Sequence, residues 1–386
     1  MRFPEFSGEW YSYPLTDFMS FKNGMNPDAK RFGHGTKFIS VMDILNNQFI
    51  RYDNIRASVE VIAGDIETYG VNYGDILFQR SSETLEDVGQ ANVYLDSKPA
   101  VFGGFVIRGK SKGNYHPMFF RYLLASPTAR KRIIVKGAGA QHFNIGQDGL
   151  SKVYLDIPSI QEQEKIAKLL ECIDDRIATQ NKIIEDLNKL KSAIIEMEYT
   201  HKTKGNTHIG DFIEQTSKRN KDSAIQNVLS VSNSQGFIQQ CEQFENRSVA
   251  SDDISNYKIV ERNCFAFNPA RINVGSIARL TTFNRGIVSP MYICFRTKDN
   301  LFPEYLDYYF ESKQFFTEIQ KRLEGSVRQC LSYEGLCNIP LCIPTVEVQQ
   351  QTGKRLSTLV QEIKLEIDFL ELLQKQKKFL LHQMFI

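Results

Sequence analysis

From Ile157 to Leu170 the chain reads IPSIQEQEKIAKLL, and from Ile343 to Leu356 it reads IPTVEVQQQTGKRL. Slid against itself at that offset, the sequence aligns well beyond these two strings. HPMFFRYLLAS (His116–Ser126) lies over FPEYLDYYFES (Phe302–Ser312), matching Pro117 with Pro303, Phe119 with Tyr305, Tyr122 with Tyr308 and Ser126 with Ser312. GAQHFNIGQDGL (Gly139–Leu150) lies over GSVRQCLSYEGL (Gly325–Leu336) without a gap. Upstream the offset widens slightly, at Ser40-Val41 over Ser230-Val231, and further at Thr16–Ser20 over Gly210–Glu214. A doubled element of this length confines the chain to two tandem units, each a mixed globular part followed by a helix.

The helices carry the sharpest pattern. Positions 166, 170, 173, 177, 180, 184, 187, 191 and 194 step by four and three and hold Ile, Leu, Ile, Ile, Gln, Ile, Leu, Lys and Ile. Positions 352, 356, 359, 363, 366, 370, 373, 377 and 380 hold Thr, Leu, Leu, Ile, Glu, Leu, Leu, Lys and Leu. Both are heptad seams, interrupted by polar residues at matching places. Ser159 to Glu162 reads as a capping box after Pro158, and Thr345 can cap the second helix. A helix of about 38 residues spans roughly 55–60 Å. A seam that long needs a partner. It can be the other copy, as an antiparallel coiled coil with pseudo-two-fold symmetry, or each helix can pack on its own globular part. The seam residues expected to lock such a pair are Ile166, Leu170, Ile173, Ile177, Ile184, Leu187, Leu356, Leu359, Ile363, Leu370 and Leu373.

The globular parts read as short strands with one long helical stretch each. Tyr73–Arg80, Pro99–Gly109, Lys152–Pro158, Asn263–Arg271, Ile287–Arg296 and Asn338–Pro344 are β-rich and bounded by Gly, Pro or Asn. MFFRYLLASPTARKRI and EYLDYYFESKQFFTEIQKRL read as helices entered through Pro117 and Pro303. The expected class is α+β with mostly antiparallel sheet, arranged as 1–157 globular, 158–204 helix, 205–343 globular and 344–386 helix. A chain of 386 residues suits two such domains. Seven cysteines with no CxxC pair point to a reducing compartment. Cys264, Cys294, Cys330, Cys337 and Cys342 read as small core residues. With no apolar leader at the start and no apolar run of about 18 residues, the expected location is cytoplasmic.

Chemistry is mostly missing. Asn268-Pro269-Ala270-Arg271 lacks the second proline and the aromatic residue of a methyltransferase motif, and there is no GxxxxGK[ST] loop for a nucleotide phosphate. The six histidines are scattered without ligand spacing, so neither a catalytic residue nor a metal site is assigned. Net charge is +2, and by segment 1–157 carries 18 basic against 16 acidic residues, 201–342 17 against 15. A nucleic-acid surface therefore has to be a patch.

Candidate patches recur in both halves. Lys22, Lys30, Arg31 and Lys37 sit in a Gly- and Asn-rich loop, matched by Lys218, Arg219 and Lys221. Arg80 and Ser81 follow a strand, as Arg271 and Asn273 do in the second half. Gln141 and His142, with Ser326 and Arg328 opposite them, lie in small-residue loops whose backbone can approach a phosphate. Arg, Asn and Gln read base edges in bidentate fashion, while Lys and Ser mostly position on phosphates.

RFPEFSGEW at the start, Gly74–Leu77 (GDIL), IPSIQEQEKIAKLLECIDDRI, IEDLNKLKSAII and the closing LQKQKKFLLHQMF resemble the specificity subunit of type I restriction-modification systems, over the whole chain. The second copy departs from the pattern. Arg262-Asn263-Cys264-Phe265 stands where GDIL is expected, and VEVQQQTG is a poor version of the helix start. The resemblance implies two target-recognition domains, each reading half of a bipartite target in double-stranded DNA, with paired helices setting the unread gap. It implies a subunit without catalysis of its own that binds two adenine methyltransferase subunits and, through the complex, motor-nuclease subunits. S-adenosylmethionine, ATP and Mg²⁺ are then expected on those partners and not on this chain. Two rival readings are a two-lobed protein scaffold and a solo enzyme with an unrecognised site.

Overall fold

The computed structural model describes residues 2–139, 141–200, 207–233, 235–240, 253–325 and 329–385. It divides into two compact units, one made of Met1–Asn181 with Asp368–Ile386 and the other of Lys182–Ile367. The class is α+β, and the doubling read from the sequence recurs strand by strand.

In the first unit the central sheet comprises β1 (Met19–Asn23), β2 (Ile76–Gln79), β3 (Ala91–Val93) and β4 (Val106–Ser111), in the order β1-β4-β2-β3 and antiparallel throughout. In the second unit β5 (Ile213–Thr216), β6 (Phe265–Phe267), β7 (Ile277–Arg279) and β8 (Ile293–Thr297) take the same order, β5-β8-β6-β7. Register agrees too: Gly109 pairs with Phe21 and Ile76, and Phe295, its counterpart at the repeat offset, pairs with Gln215 and Phe265. A second four-stranded sheet, centred on Phe32–Ile39 and Ala100–Phe102, completes the first globular part. The second part has two strand pairs instead, Leu229–Ser232 with Gly236–Gln239 and Lys258–Glu261 with Arg285–Val288.

Each long helical stretch of the globular parts is broken into two helices. α1 (Pro117–Ala125) is followed by α2 (Pro127–Ile134), and Ser126 between them is extended, its hydroxyl accepting from the Ala129 N–H at 3.2 Å. A residue before proline avoids the helical region, and proline brings no N–H, so a break is favoured here. Downstream of α3 (Ile160–Thr200), α4 (Pro303–Tyr309) and α5 (Lys313–Gln320) repeat the break at Ser312, which caps Phe315 at 3.1 Å without any proline. A serine cap alone suffices. α1 drives Phe119, Phe120 and Leu124 into the core, each burial worth about 1.5–3 kcal/mol.

Asn338–Pro344, expected as a strand, is not one; apart from a single bridge from Pro340 to His208 it carries no ladder. Pro340 and Pro344 remove two donors that a strand needs. Its counterpart Tyr154–Ile157 pairs fully with Tyr11–Pro14. Of the five cysteines expected in the interior, Cys294 is buried and the others are half-buried.

The last helix, α6, runs Val346–Met384. All nine stepping positions of each seam are buried or half-buried, the polar interruptions included. Within the first unit, Ile166, Leu170 and Ile173 share one core with Leu380, Met384 and Phe385. Trp10 joins the two ends, donating to Glu162 at 3.3 Å and meeting Phe385 edge-on at 6.3 Å, while further along Lys377 pairs with Asp174 at 2.5 Å. As residue number rises on α3 it falls on α6: the pair is antiparallel. Within the second unit Arg355 pairs with Glu198 at 2.8 Å, and Leu356 shares a core with Ile195 and Tyr199. Each helix half also packs on a globular part, so both ways of covering the seam are used. Among the described residues no helix is long and apolar enough to cross a membrane.

Candidate nucleic-acid interface

The start of α3 shows how each helix is fixed to its domain. Pro158 removes one donor from the strand exit, and Ser159 accepts from the Glu162 N–H at 3.4 Å. The other half of the expected capping box is diverted. The Glu162 carboxylate, 1% exposed, takes a two-pronged bond from Arg2 at 2.7 Å per prong. The next residue does the joining. Gln163 accepts from the His116 N–H at 3.0 Å and donates to the Pro158 carbonyl at 3.0 Å, so α1 and α3 start from one buried amide. In the second unit Gln349 accepts from the Phe302 N–H at 2.8 Å and donates to the carbonyls of Pro344 at 2.9 Å and Asn300 at 3.1 Å. The signal IP-x4-Q occurs in both copies, so VEVQQQTG keeps the residue that matters.

The GDIL string also has a structural role. Gly74 is left-handed at φ +87°, the Asp75 carboxylate accepts from the Asn72 and Ser111 N–H groups at 3.0 and 2.8 Å, and Tyr115 donates to the Gly74 carbonyl at 2.6 Å. Burial holds the Asp75 carboxyl above the usual carboxylate range. In the second unit the left-handed residue is Asn263 at φ +66°. Its N–H bonds the Leu280 carbonyl as Gly74 bonds that of Tyr94, and the Cys264 carbonyl accepts from Leu280 as that of Asp75 accepts from Tyr94. The match therefore runs one residue later than side-chain similarity suggests, Gly74 over Asn263 and Asp75 over Cys264. Backbone shape, not residue type, sets the alignment, and asparagine is among the few residues that tolerate this φ.

The candidate DNA-contacting residues separate into clusters. In the first unit, Arg80, Ser81, Gln141 and His142 come together at the end of β2. The Arg80 N–H bonds the Phe105 carbonyl at 2.9 Å and its own carbonyl receives Ile145 at 2.9 Å. Ser81-Ser82 pairs with Phe143-Asn144, and the Ser81 hydroxyl bonds the Asn144 side chain. Gln141 and His142 are exposed. Arg80 is half-buried, with one guanidinium nitrogen 3.3 Å from the Gly104 carbonyl. Of the other basic residues Lys22 lies on β1 of the central sheet, while Lys30, Arg31 and Lys37 belong to the second sheet and its loops. Lys30 is exposed, and Lys22 lies over the Tyr69 ring at 5.4 Å. Arg31 forks onto the Glu60 carbonyl at 2.9 and 2.6 Å and pairs with Asp65. The Ile62 N–H and then Arg31 hold the Asp65 carboxyl below its ordinary range. Lys37 donates to the Ile55 carbonyl at 2.8 Å. Arg31 and Lys37 thus also brace their own domain.

In the second unit Lys218 and Arg219 are exposed and line a cavity of about 820 Å³ with Lys221 of the same loop and with Arg285, a residue the sequence does not single out. Asn220, fully buried, ties this loop to Ile225 in both directions, at 2.9 and 3.1 Å. Arg271, exposed, and Asn273, half-buried, belong to a different cluster at the end of β6, where Pro269 receives the Leu331 N–H at 3.0 Å as Arg80 receives Ile145. Ser326 and Arg328 lie outside the described residues. Among the described residues no group of three or more His, Cys, Asp or Glu is placed to hold a metal ion.

Comparison with known proteins now bears on these sites. The model of the type I restriction modification DNA specificity domain matches residues 7–189. The putative type I restriction enzyme MjaX specificity subunit of Methanocaldococcus jannaschii is 27% identical over 225 residues, 54% of this chain and 51% of that protein. The chain thus spans about half the length of that relative. The type I restriction enzyme MjaVIII specificity subunit of the same organism is 22% identical over 421 residues, 98% of this chain and 92% of its own length. Among solved structures, the type I restriction-modification S subunit of M. genitalium superposes with a TM-score of 0.57 at 14% identity, covering 100% of this chain and 99% of the other. The HsdS subunit of Thermoanaerobacter tengcongensis gives 0.50 at 12%, covering 100% and 98%. At these identities the structural likeness is one of fold. Residues 7–189 thus match a type I restriction modification DNA specificity domain, and along its whole length, with its doubled sheet order and two long helices, the chain shares the fold of the solved S subunits.

Proposed function

We propose that this chain is the non-catalytic DNA-recognition subunit of a type I restriction-modification complex, with each globular part reading one half of a bipartite target. The observation that carries this reading is the repetition of one sheet order, with its loop clusters, in both units. Residues 1–157 and 205–343 serve as the two target-recognition domains, and 158–204 and 344–386 as the helices that set the spacer. Lys30, Lys218 and Arg219 supply sequence-independent phosphate contacts. Arg80, Arg271 and Asn273 stand at strand ends where base edges are read, each good bidentate contact discriminating by about 1–3 kcal/mol.

Two methyltransferase subunits dock on the outer faces of the helices, and motor-nuclease subunits join through that complex. Supporting this, α3 exposes Ile183, Leu190 and Met197 and α6 exposes Leu365, Leu372 and Phe379, both at heptad spacing off the seam. S-adenosylmethionine, ATP and Mg²⁺ belong to the partners.

The test is a map of modified bases. The chain is produced with the neighbouring methyltransferase subunit in a host lacking adenine methylation, and the genome is read for methylated adenines. A bipartite motif with a fixed gap, lost without this chain, is expected. Removing seven residues from one helix, about 10 Å of rise, keeps the seam in phase and should change that gap. A complex that forms but marks no motif overturns the reading.

A further inference from the structure

At the entrance to the central strand, each unit makes the same tight turn and places an apolar side chain at its tip. In the first, Gly103-Gly104-Phe105-Val106 closes with the Val106 N–H on the Gly103 carbonyl at 2.9 Å. In the second, Ser289-Pro290-Met291-Tyr292 closes with the Tyr292 N–H on the Ser289 carbonyl at 3.0 Å. Phe105 is 70% exposed and Met291 61% exposed. Single exposed apolar residues are ordinary on a protein surface and need no explanation. These two differ because they are repeat partners, set apart by the same offset as Ile157 and Ile343. Among the described residues of the globular parts, no other exposed large apolar pair has that spacing.

Both turns are held rigid, by different means. A side chain at Gly103 would meet the Phe38 ring at 2.7 Å, and one at Gly104 would meet the Asn26 amide at 2.0 Å. The Arg80 guanidinium fixes the Gly104 carbonyl at 3.3 Å. In the second turn Pro290 presets the backbone for the first central position. The Asn268 amide touches the Met291 sulfur at 3.8 Å, and the Asn268 carbonyl receives the Arg271 N–H at 3.0 Å. Each apolar tip is therefore flanked by an amide and sits in the loop cluster of an arginine: Asn26 and Arg80 in one unit, Asn268 and Arg271 in the other. A rigid apolar wedge between hydrogen-bonding side chains is what contact with a base step calls for. Apolar side chains can insert between base pairs while neighbouring polar groups hold edges and phosphates.

We propose that Phe105 and Met291 are wedge residues, each inserting against one base step in its own half of the DNA target. The inference rests on the reading of the chain as a DNA-specificity subunit. It adds two residues whose contribution is apolar and so independent of salt.

The test uses the complex with its methyltransferase subunits and a duplex carrying the mapped motif, with 2-aminopurine placed step by step away from the methylated adenines. Bound wild type raises 2-aminopurine emission at one step in each half. Phe105→Ser removes the rise in one half and weakens binding roughly tenfold or more, with the salt dependence of binding unchanged. Met291→Ser does the same in the other half, and Phe105→Trp keeps both signal and affinity. Thermal unfolding of the serine variants matches wild type, since both residues are exposed. Wild-type affinity and emission in Phe105→Ser overturn the wedge while leaving the specificity role intact. Loss of methyltransferase co-purification with DNA contact unchanged also overturns it and marks a protein-docking tip. Absence of any motif in the wild type removes both readings.

Discussion

The two joints between helix and domain are built from the same lysine and differ in what that lysine meets. In the first unit Lys377 reaches Asp174, which is 6% exposed, and Asp174 also accepts from the Tyr122 hydroxyl at 2.8 Å. In the second, Lys191, its repeat partner, reaches Glu311 at 2.5 Å, and Glu311 is 46% exposed. Lys377 lies 5.8 Å from the centre of the Tyr122 ring and Lys191 5.9 Å from that of Tyr308, and those tyrosines are themselves repeat partners. The cation over the ring is kept; the carboxylate has moved from the long helix to the globular part, and from the interior to the rim. One joint is closed, the other accessible to water. The polar breaks in the seam are thus anchor points, not defects.

Removing the carboxylate should separate the two most clearly. Asp174→Ala leaves a lysine and a tyrosine hydroxyl without their buried partner and should cost about 3 kcal/mol, whereas Glu311→Ala should cost under about 1 kcal/mol. Hydrogen exchange of the full chain reads this locally, as lost amide protection in α1 and the end of α6 for the first variant and little change for the second. Equal effects would mean that burial does not distinguish the joints.

A smaller effect tests what the joints share. Gln163→Ala and Gln349→Ala each leave a part-buried backbone N–H, that of His116 or of Phe302, without its partner and should cost about 1–2 kcal/mol apiece. Similar losses of thermal stability are expected in both. A clear difference would show that the second helix start is held by something other than its glutamine.

The smallest effect sharpens the comparison at one position. His116 caps α1 by accepting the Phe119 N–H at Nδ1, at 3.3 Å, and burial depresses its pKa below the ordinary histidine value. The neutral ring is favoured in the folded state, so its contribution is present above about pH 6.5 and is lost as pH falls through the lower folded value. Phe302 holds the same place in the second unit and does not titrate. Mild acid should therefore loosen the start of α1 and not that of α4, and His116→Asn should abolish the difference, as read by amide exchange across both helices.

The same contrast explains what the sequence discloses. Both seams are legible because a heptad requires only neighbours three and four residues away, and those are fixed by the chain itself. The Ser312 break is hidden inside an apolar run, since there a cap is decided by one residue against a background of good helix formers, whereas at Ser126 the following Pro127 marks the break in the sequence. Arg31 and Lys37 show the limit for charge. In a Gly-rich loop they read as phosphate ligands; the carbonyls of Glu60 and Ile55 to which they also donate lie 29 and 18 positions away in the chain and leave no trace in composition. Phe105 shows the converse. Within PAVFGGFVIRG it reads as strand interior, and only the turn closing on Gly103 reveals that it faces out.

The first unit is assembled from residues 1–181 and 368–386. A nascent chain that has finished every strand of that unit still lacks Leu380, Met384 and Phe385, which its core requires. Native closure of the amino-terminal half must then wait for the carboxy-terminal half to be synthesised, a long interval for an apolar surface to stay open to chaperones and proteases. A stop codon in the last helix would leave its wound in the earlier of the two units, far up the chain from the break itself.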